Sequence, residues 1–424
     1  MSSFHALIKF TEFAQSYSYA SKSCRIEYKC PTAYVQLDAM TTAGLELVRN
    51  SRDAQAKKGS LFGSINNCVT PMGQRLLWTN ILQPLSSRTQ QDAINNRLDF
   101  IELLLGNGDA FFELSGKLPK CPDLEYIVAS CLVQIPKYGT QCGSADKCQT
   151  LITKILALKK AVCKVEELHG ALASLDDKAV SNVSTQKCTL LHLFREALSS
   201  PLIEEMRGKI DMVLDDTAAG GGGGTAQVQR LFAVKAGRNA LLDVARTTYN
   251  DNYDDIVSTV QKYRDDFGIG SLKVHYTASR GYHVSAKCDA DALPPVFIQV
   301  YKKGKTVYAT TEDLASLAQL NTNAVQEVYL LTGAILEDLV AVLRNYIGVL
   351  LKMADAIALL DMLRSFAHQV SLSDSFCRPE FAEGPLAIRQ GRHPMAASFL
   401  KSRDFVPNNT MIHASTASFN IITG

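Results

Sequence analysis

NTNAVQEVYLLTGAILEDLVAVLRNYIGVLLKMADAIALLDMLRSFAHQ, residues 321–369, is the stretch that decides how the rest of the chain is read. Apolar side chains recur in it at three- and four-residue spacing, through Val328, Leu331, Ile335, Leu339, Val342, Leu350, Ile357 and Leu363, and no proline interrupts them. That spacing lays one apolar stripe along a helix, so the expectation is a single long buried helix. At about 1.5 Å per residue such a helix is a rod joining surfaces far apart. What lies at its two ends then organises the reading.

Before it, the period changes. Leu272, Val274 and Tyr276 alternate with polar residues, as do Tyr282 and Val284, and the region of Phe297, Val300 and Tyr301 is followed by Val307 and Ala309. A period of two predicts a small β unit. A helix is expected over Ala240–Arg264, with Leu242, Val244, Ala245, Tyr249, Ile256, Val260 and Tyr263 turned inward. The hairpins place Lys273, Arg280, Lys302, Lys303 and Lys305 near turns, interleaved with Tyr276, Tyr282, Tyr301 and Tyr308. Basic residues beside turns can grip a phosphate backbone without reading bases. Lysines at hairpin turns also protect sheet edges, and the residues alone leave both readings open.

Farther out, Thr70 followed by Pro71 is a helix start, the threonine as cap and the proline where no amide hydrogen is needed. That helix runs to Leu82 and stops ahead of Pro84. The next begins at Ser87, with Ile94, Leu98, Ile101 and Leu105 on one face, and ends at Gly106. Helical pieces continue from Leu114 to Glu205, separated by prolines and Gly143, which describes an array of packed helices. Residues 1–48 mix a helical piece, Ala6–Phe13, with strand-like runs such as Ala33–Leu37. Leu231–Val234 reads as a strand, and the glycine-rich run at 218–225 as a linker, since no Gly-Lys-Ser/Thr follows it.

With 424 residues the chain calls for several domains. A net charge of +2 means that any nucleic-acid contact has to come from a local patch rather than a basic body. Eleven scattered cysteines, none in a Cys-x-x-Cys pair, fit a reducing cytosol or nucleus, and Cys142 and Cys148 read as structural thiols. No apolar run is long enough to span a membrane, and the start of the chain has no secretory layout. His368 and His393 read as framework residues, and Asp361 as a satisfied polar group. The pairs Asp215-Asp216, Asp254-Asp255 and Asp265-Asp266 read as solvated helix ends. No catalytic constellation or metal-ligand set is complete.

The last stretch differs in kind. Leu386-Ala387-Ile388 leads to Gly391-Arg392-His393-Pro394, then to Phe405-Val406-Pro407, and finally to Phe419-Asn420-Ile421-Ile422-Thr423-Gly424. An apolar strand ending in Thr-Gly is how a chain enters a phosphate-binding loop. The lysine and the magnesium ligand that complete such a loop would follow Gly424.

These motifs resemble the MutS family of DNA mismatch-repair ATPases over nearly the whole chain, and within it the meiotic branch. The resemblance is carried by Leu61-Phe62-Gly63, Thr70-Pro71-Met72-Gly73-Gln74-Arg75-Leu76-Leu77 and Asn96-Arg97-Leu98-Asp99. Farther on it rests on Asp243-Val244-Ala245-Arg246, Ser279-Arg280-Gly281-Tyr282, Leu360–His368, Arg378-Pro379-Glu380-Phe381 and Gly391-Arg392-His393-Pro394. It implies a mainly α fold: a helical lever domain with an inserted small β clamp, flanked by partial α/β pieces. Residues 1–48 would be the end of a connector domain, 49–240 and 321–367 the lever, 241–320 the clamp, and 368–424 the start of an ATPase domain. The resemblance further implies DNA contact through Lys273, Arg280, Lys302, Lys303 and Lys305, and adenine stacking on Phe405 beside Val406, with Gly424 opening the phosphate loop. ATP and Mg2+ would be cofactors of the intact protein, and a subunit of the MutS homologue five type would be its partner on Holliday-junction-like DNA in the nucleus. The chain lacks a mismatch-reading wedge and the later ATPase motifs, so it is expected to be part of such a protein and to have no ATPase activity by itself. A mismatch-repair subunit and a helical protein-binding scaffold are the rival expectations.

Overall fold

The computed structural model describes residues 2–24, 26, 30–51, 53, 59–136, 145–175, 188–215, 232–277, 280–287, 293–304, 306–372, 376–395, 405–413, 415 and 419. In chain order the helices are α1 (Ser2–Ala14), α2 (Ala39–Gly44), α3 (Leu61–Ile65), α4 (Pro71–Leu82), α5 (Ser87–Gly106), α6 (Gly108–Lys117) and α7 (Leu124–Ile127). They continue with α8 (Ala145–Ala173), α9 (Thr189–Leu198), α10 (Pro201–Val213), α11 (Ala240–Asp266), α12 (Glu312–Leu343) and α13 (Ile347–Ser371). The strands are β1 (Tyr17–Tyr19), β2 (Gln134–Pro136), β3 (Lys273–Thr277), β4 (Gly281–Ala286), β5 (Ile298–Lys303), β6 (Thr306–Thr310), β7 (Leu386–Gly391) and β8 (Asn408–Ile412). The fold is mainly α, as the sequence pattern requires. No described helix is long and apolar enough to cross a membrane.

The chain divides into two compact units, one of Met1–Ala20, Cys131–Ala157 and Glu205–Asn345, the other of Ser21–Ser130, Leu158–Glu204 and Tyr346–Gly424. The second is built around α13, whose Leu350, Met353, Ile357, Leu360, Met362 and Leu363 are all buried. A helix apolar nearly all round is a core element. Against it lie α4 and α5, and Phe100 of α5 meets Phe194 of α9 edge-on with centroids 5.0 Å apart. Helix α4 starts as its sequence dictates, with Pro71 in the first turn and the Thr70 hydroxyl accepting from Gly73 N at 3.0 Å.

The polar residues of α13 fasten the turn that precedes α4. Asp361 is fully buried, and its Oδ2 accepts from Thr70 N (2.7 Å), Thr70 Oγ1 (2.7 Å) and Val69 N (3.0 Å). Arg364 donates to Asn67 O, and its Nη2 stands 3.3 Å from Asp361 Oδ1. Ser365 Oγ accepts from Asn67 N at 2.9 Å and donates to Ile65 O. Burial, helped by the charge of Asp361, pushes the neighbouring Cys68 thiol up to about 12, so it is held as an inert thiol. Asp361 is thus the satisfied polar group that its helical context predicts.

In the first unit α11 and α12 run antiparallel. Tyr263 OH donates to Asp313 Oδ2 at one end, and Asn321 Nδ2 donates to Tyr249 O farther along. The four-stranded antiparallel sheet, in the order β3-β4-β6-β5, packs its apolar face on this pair. Ile256 and Val260 of α11, Leu314 of α12, and Val284, Ala286 and Ala309 of the sheet form one buried cluster with Leu272 and Phe297. Asn239 caps α11 and Thr311 caps α12.

Several expectations are corrected. The stretch 321–369 is two helices, because a 3-10 turn at Arg344–Tyr346 separates α12 from α13. There Arg344 Nε donates to Leu132 O at 3.1 Å, Tyr346 is buried, and Gly348 follows, so tertiary contacts rather than proline end the first helix. On α5 the buried face is Phe100, Ile101, Leu103 and Leu104, while Leu105 is exposed. Val244 and Val342, expected inward, are also exposed. The run Ala33–Leu37 makes only an isolated bridge, Tyr34 to Leu85, following a 3-10 turn at Pro31–Ala33. Leu231–Val234 reduces to a bridge between Val234 and Leu214, Leu231 lying outside the described residues. The linker reading of 218–225 also falls outside them.

Candidate nucleic-acid interface

Register assigns every side chain of the four-stranded sheet to a face. Lys273, His275 and Thr277 of β3 stand opposite Ser285, His283 and Gly281 of β4, and Ser285 stands opposite Tyr308 of β6. On β5, Tyr301 pairs with Tyr308 and Lys303 with Thr306. Because alternate residues share a face, these positions form one polar side, and Val274, Val284, Ala286, Val307 and Ala309 form the side that packs on the helices.

The polar side carries a ladder of rings. His275 lies 6.2 Å from His283 in a stacked arrangement, and both lie within about 6 Å of Tyr308 (6.0 and 5.8 Å). Tyr308 stacks on Tyr301 at 5.0 Å with planes 16° apart. The Arg280 guanidinium completes the ladder, 3.8 Å from the centre of Tyr301. A cation over an aromatic face is attracted by the ring quadrupole, so this guanidinium is positioned before any ligand arrives. Arg280 N donates to Thr277 O at 3.2 Å, and Gly281 at φ 67° supplies the left-handed backbone that turns the chain into β4. His283 Nδ1 lies 3.0 Å from Gly281 O. Since a carbonyl only accepts, Nδ1 carries the proton and Nε2 faces outward from that bond.

Three of the basic residues singled out by the sequence share this side, Lys273 on the edge strand β3, Lys303 on the opposite edge strand β5 and Arg280 in the turn ahead of β4, all exposed. Lys302 does not join them. It pairs with Val307 and therefore belongs to the opposite face. Lys305 lies outside the described residues. The tyrosines also divide. Tyr301 and Tyr308 are on the polar side, whereas Tyr276 and Tyr282 belong to a second cluster with Tyr249 and Tyr253 of α11. Burial, and then the neighbouring Tyr249, hold the Tyr282 phenol above the ordinary tyrosine range. Sequence reasoning missed His275 and His283, although the two-residue period that places Lys273 also places His275 beside it.

In the second unit β7 and β8 pair antiparallel, and Phe405 and Val406 stand just ahead of β8, the first half-buried and the second 76% exposed. Gly424 lies outside the described residues.

Comparison with known proteins decides the family. The profile described as MutS domain III matches residues 40–367, which include the whole sheet and helices α3 to α12. The chain belongs to the MutS family. It is similar to "MutS protein homolog 4" of Homo sapiens, 32% identical over 425 residues, covering 99% of this chain and 43% of that protein. It is likewise similar to "DNA mismatch repair protein MSH4" of Arabidopsis thaliana, 32% identical across 97% of this chain and 52% of the relative. "DNA mismatch repair protein MutS" of Methanosarcina mazei is 27% identical across 93% of the chain and 40% of that protein. The chain therefore spans about half the length of the curated relatives it matches. As a MutS-family chain it has the mainly helical lever-type architecture expected, and the polar face just described sits inside the matched domain.

Proposed function

We propose that this chain is the DNA-gripping lever and clamp portion of a meiotic MutS-type subunit, which embraces duplex or branched, Holliday-junction-like DNA and promotes crossover formation. The observation that carries the proposal is the placement of Lys273, Arg280 and Lys303 on the same side of the sheet as a ring ladder, the other side being committed to α11 and α12. Such a surface fits phosphates and carries no element that reads base edges. The kinship with "MutS protein homolog 4" favours the meiotic role. In its intact form the protein would bind ATP and Mg2+, with Phe405 stacking on adenine beside Val406 and Gly424 opening the phosphate loop. It would pair with a subunit of the MutS homologue five type and act in the nucleus. The kinship with archaeal "DNA mismatch repair protein MutS" favours a second reading, a mismatch-repair subunit.

The test is the salt dependence of binding to a four-way junction, to a matched duplex and to a mismatched duplex. Each phosphate contact released should contribute about one unit to the log–log slope. Changing Lys273→Ala, Arg280→Gln and Lys303→Ala together should lower the slope by about three units, while Lys302→Ala should lower it less than any of them. An unchanged slope in the triple variant refutes the proposal and leaves a protein-binding scaffold. Tighter binding to the mismatch than to the junction supports the repair subunit.

A further inference from the structure

The same face holds a group whose charge is set by pH. We propose that His275 is a titratable phosphate contact, so that this face takes up a proton when it binds nucleic acid; the inference rests on the DNA-binding reading above. Three observations carry it. His275 is exposed and shares its side of the sheet with Lys273, Arg280 and Lys303. Its ring is held in a fixed place, stacked on His283 and edge-on to Tyr308 at 6.0 Å. His283 in turn is buried and pinned by its Nδ1–H to Gly281 O, so the ring beneath His275 does not rotate away.

The groups facing His275 from the elements around it decide what its charge interacts with. On its own strand they are Lys273 and Thr277. From β4 come His283 and Ser285, from β6 Tyr308, from β5 Tyr301 and Lys303, and from the turn Arg280. None of the four strands carries an acidic residue. The acidic side chains nearest to the sheet in the fold's connectivity, Glu312 and Asp313, open α12, which packs on the sheet's other side, and Asp313 is engaged by Tyr263. The four strands therefore offer an imidazolium at His275 no carboxylate partner, and the nearest charge along its own strand, Lys273, has the same sign. What favours the charged form is a ligand phosphate: an opposite charge at close range stabilises the protonated ring. Histidine changes charge between about pH 5 and 8, which puts this gain within the physiological range.

Sign and size follow. Lowering pH adds a positive charge to the face, so affinity rises as pH falls, and binding at constant pH consumes a proton. One further counterion released at a slope of 0.9 is worth about eightfold in affinity at 0.1 M salt.

The experiment uses the full chain and a fluorescently labelled four-way junction, titrated by anisotropy from pH 5.5 to 8.0 at several fixed ionic strengths. The wild type should tighten about eightfold from the top to the bottom of that range and steepen its salt slope by about one unit. His275→Gln should bind at all pH values as the wild type does at pH 8.0. His275→Lys should bind at all pH values as the wild type does at pH 5.5, and because it retains function it shows that position 275 tolerates substitution without unfolding. A wild-type pH profile in both variants overturns the inference while leaving the salt-dependent grip of Lys273, Arg280 and Lys303 standing. Absence of salt-dependent binding by the wild type at every pH overturns both readings.

Discussion

Asp361 is where a single substitution should cost the most. In Asp361→Ala, Thr70 N, Val69 N and the Thr70 hydroxyl lose their acceptor at once, and Arg364 loses the carboxylate 3.3 Å away. Each buried donor left without a partner costs roughly 1–3 kcal/mol, and breaking one side of a buried charged pair costs roughly 3–5 kcal/mol. These losses overlap, since the same vacated space admits water to several donors, so the expected total is about 4 kcal/mol rather than their sum. Asp361→Asn keeps one acceptor oxygen and should cost about half as much. The protein contains one tryptophan, Trp78, which sits on α4 with its ring 5.1 Å from Phe62, beside the fastened turn. Its fluorescence in a urea titration therefore reports the unit in which the carboxylate acts. The midpoint should fall with the slope unchanged. Thr70→Val removes both the carboxylate contact and the cap on Gly73 N, and combined with Asp361→Ala it should cost less than the two alone. A loss below about 1 kcal/mol in Asp361→Ala, or strict additivity with Thr70→Val, would refute the account of this junction.

Two further outcomes follow. Gly73→Ala should destabilise by about 2 kcal/mol although alanine is the better helix former by about 1 kcal/mol, because the new methyl would stand 2.5 Å from Asp361 Oδ2, an oxygen its three donors hold in place; in the Asp361→Ala background the loss should shrink, the contact left being with the Cβ at 3.0 Å, read again from Trp78. The Tyr282 phenol, raised by burial and by Tyr249, should make the sheet unit lose stability only as pH climbs above the free tyrosine value of about 10, the neutral form being the one the fold favours; Tyr282→Phe should reduce that alkaline loss in circular dichroism, Tyr249 and Tyr263 being raised by burial too, and an unchanged alkaline limb would contradict it.

Local signals carried far in this chain, and the failures have a common cause. Thr70 and Pro71 start α4, Gly106 ends α5, and Asn239 and Thr311 cap the two helices that bear the sheet, all of which depend on residues within one turn. Decisions made by distant residues were not legible. The break at Arg344–Tyr346 is fixed by Leu132, more than two hundred positions away, and the partners of Asp361 lie near residue 70. Periodicity names an apolar stripe but not which of its members lies at the edge, and so Leu105, Val244 and Val342 read as interior positions although they are exposed.

The candidate interface turns on one such detail. Between Ile298 and Tyr301 three steps of β5 are matched by two of β6, from Thr310 to Tyr308, and Gln299 takes a φ of 53° to absorb the extra residue. This bulge shifts the alternation of everything after it by one place. Without it, Ile298, Val300 and Lys302 would share the polar side, and Tyr301 and Lys303 would turn toward α11 and α12. With it, Tyr301 comes under Arg280 and Lys303 takes the same side of the sheet as Lys273, while Lys302 is sent to the other face. The two lysines are adjacent and chemically identical, so nothing in their local sequence separates them. Their difference in face is set by the backbone at Gln299, and substitution there should act on the candidate interface through Tyr301 and Arg280 rather than through any charge of its own.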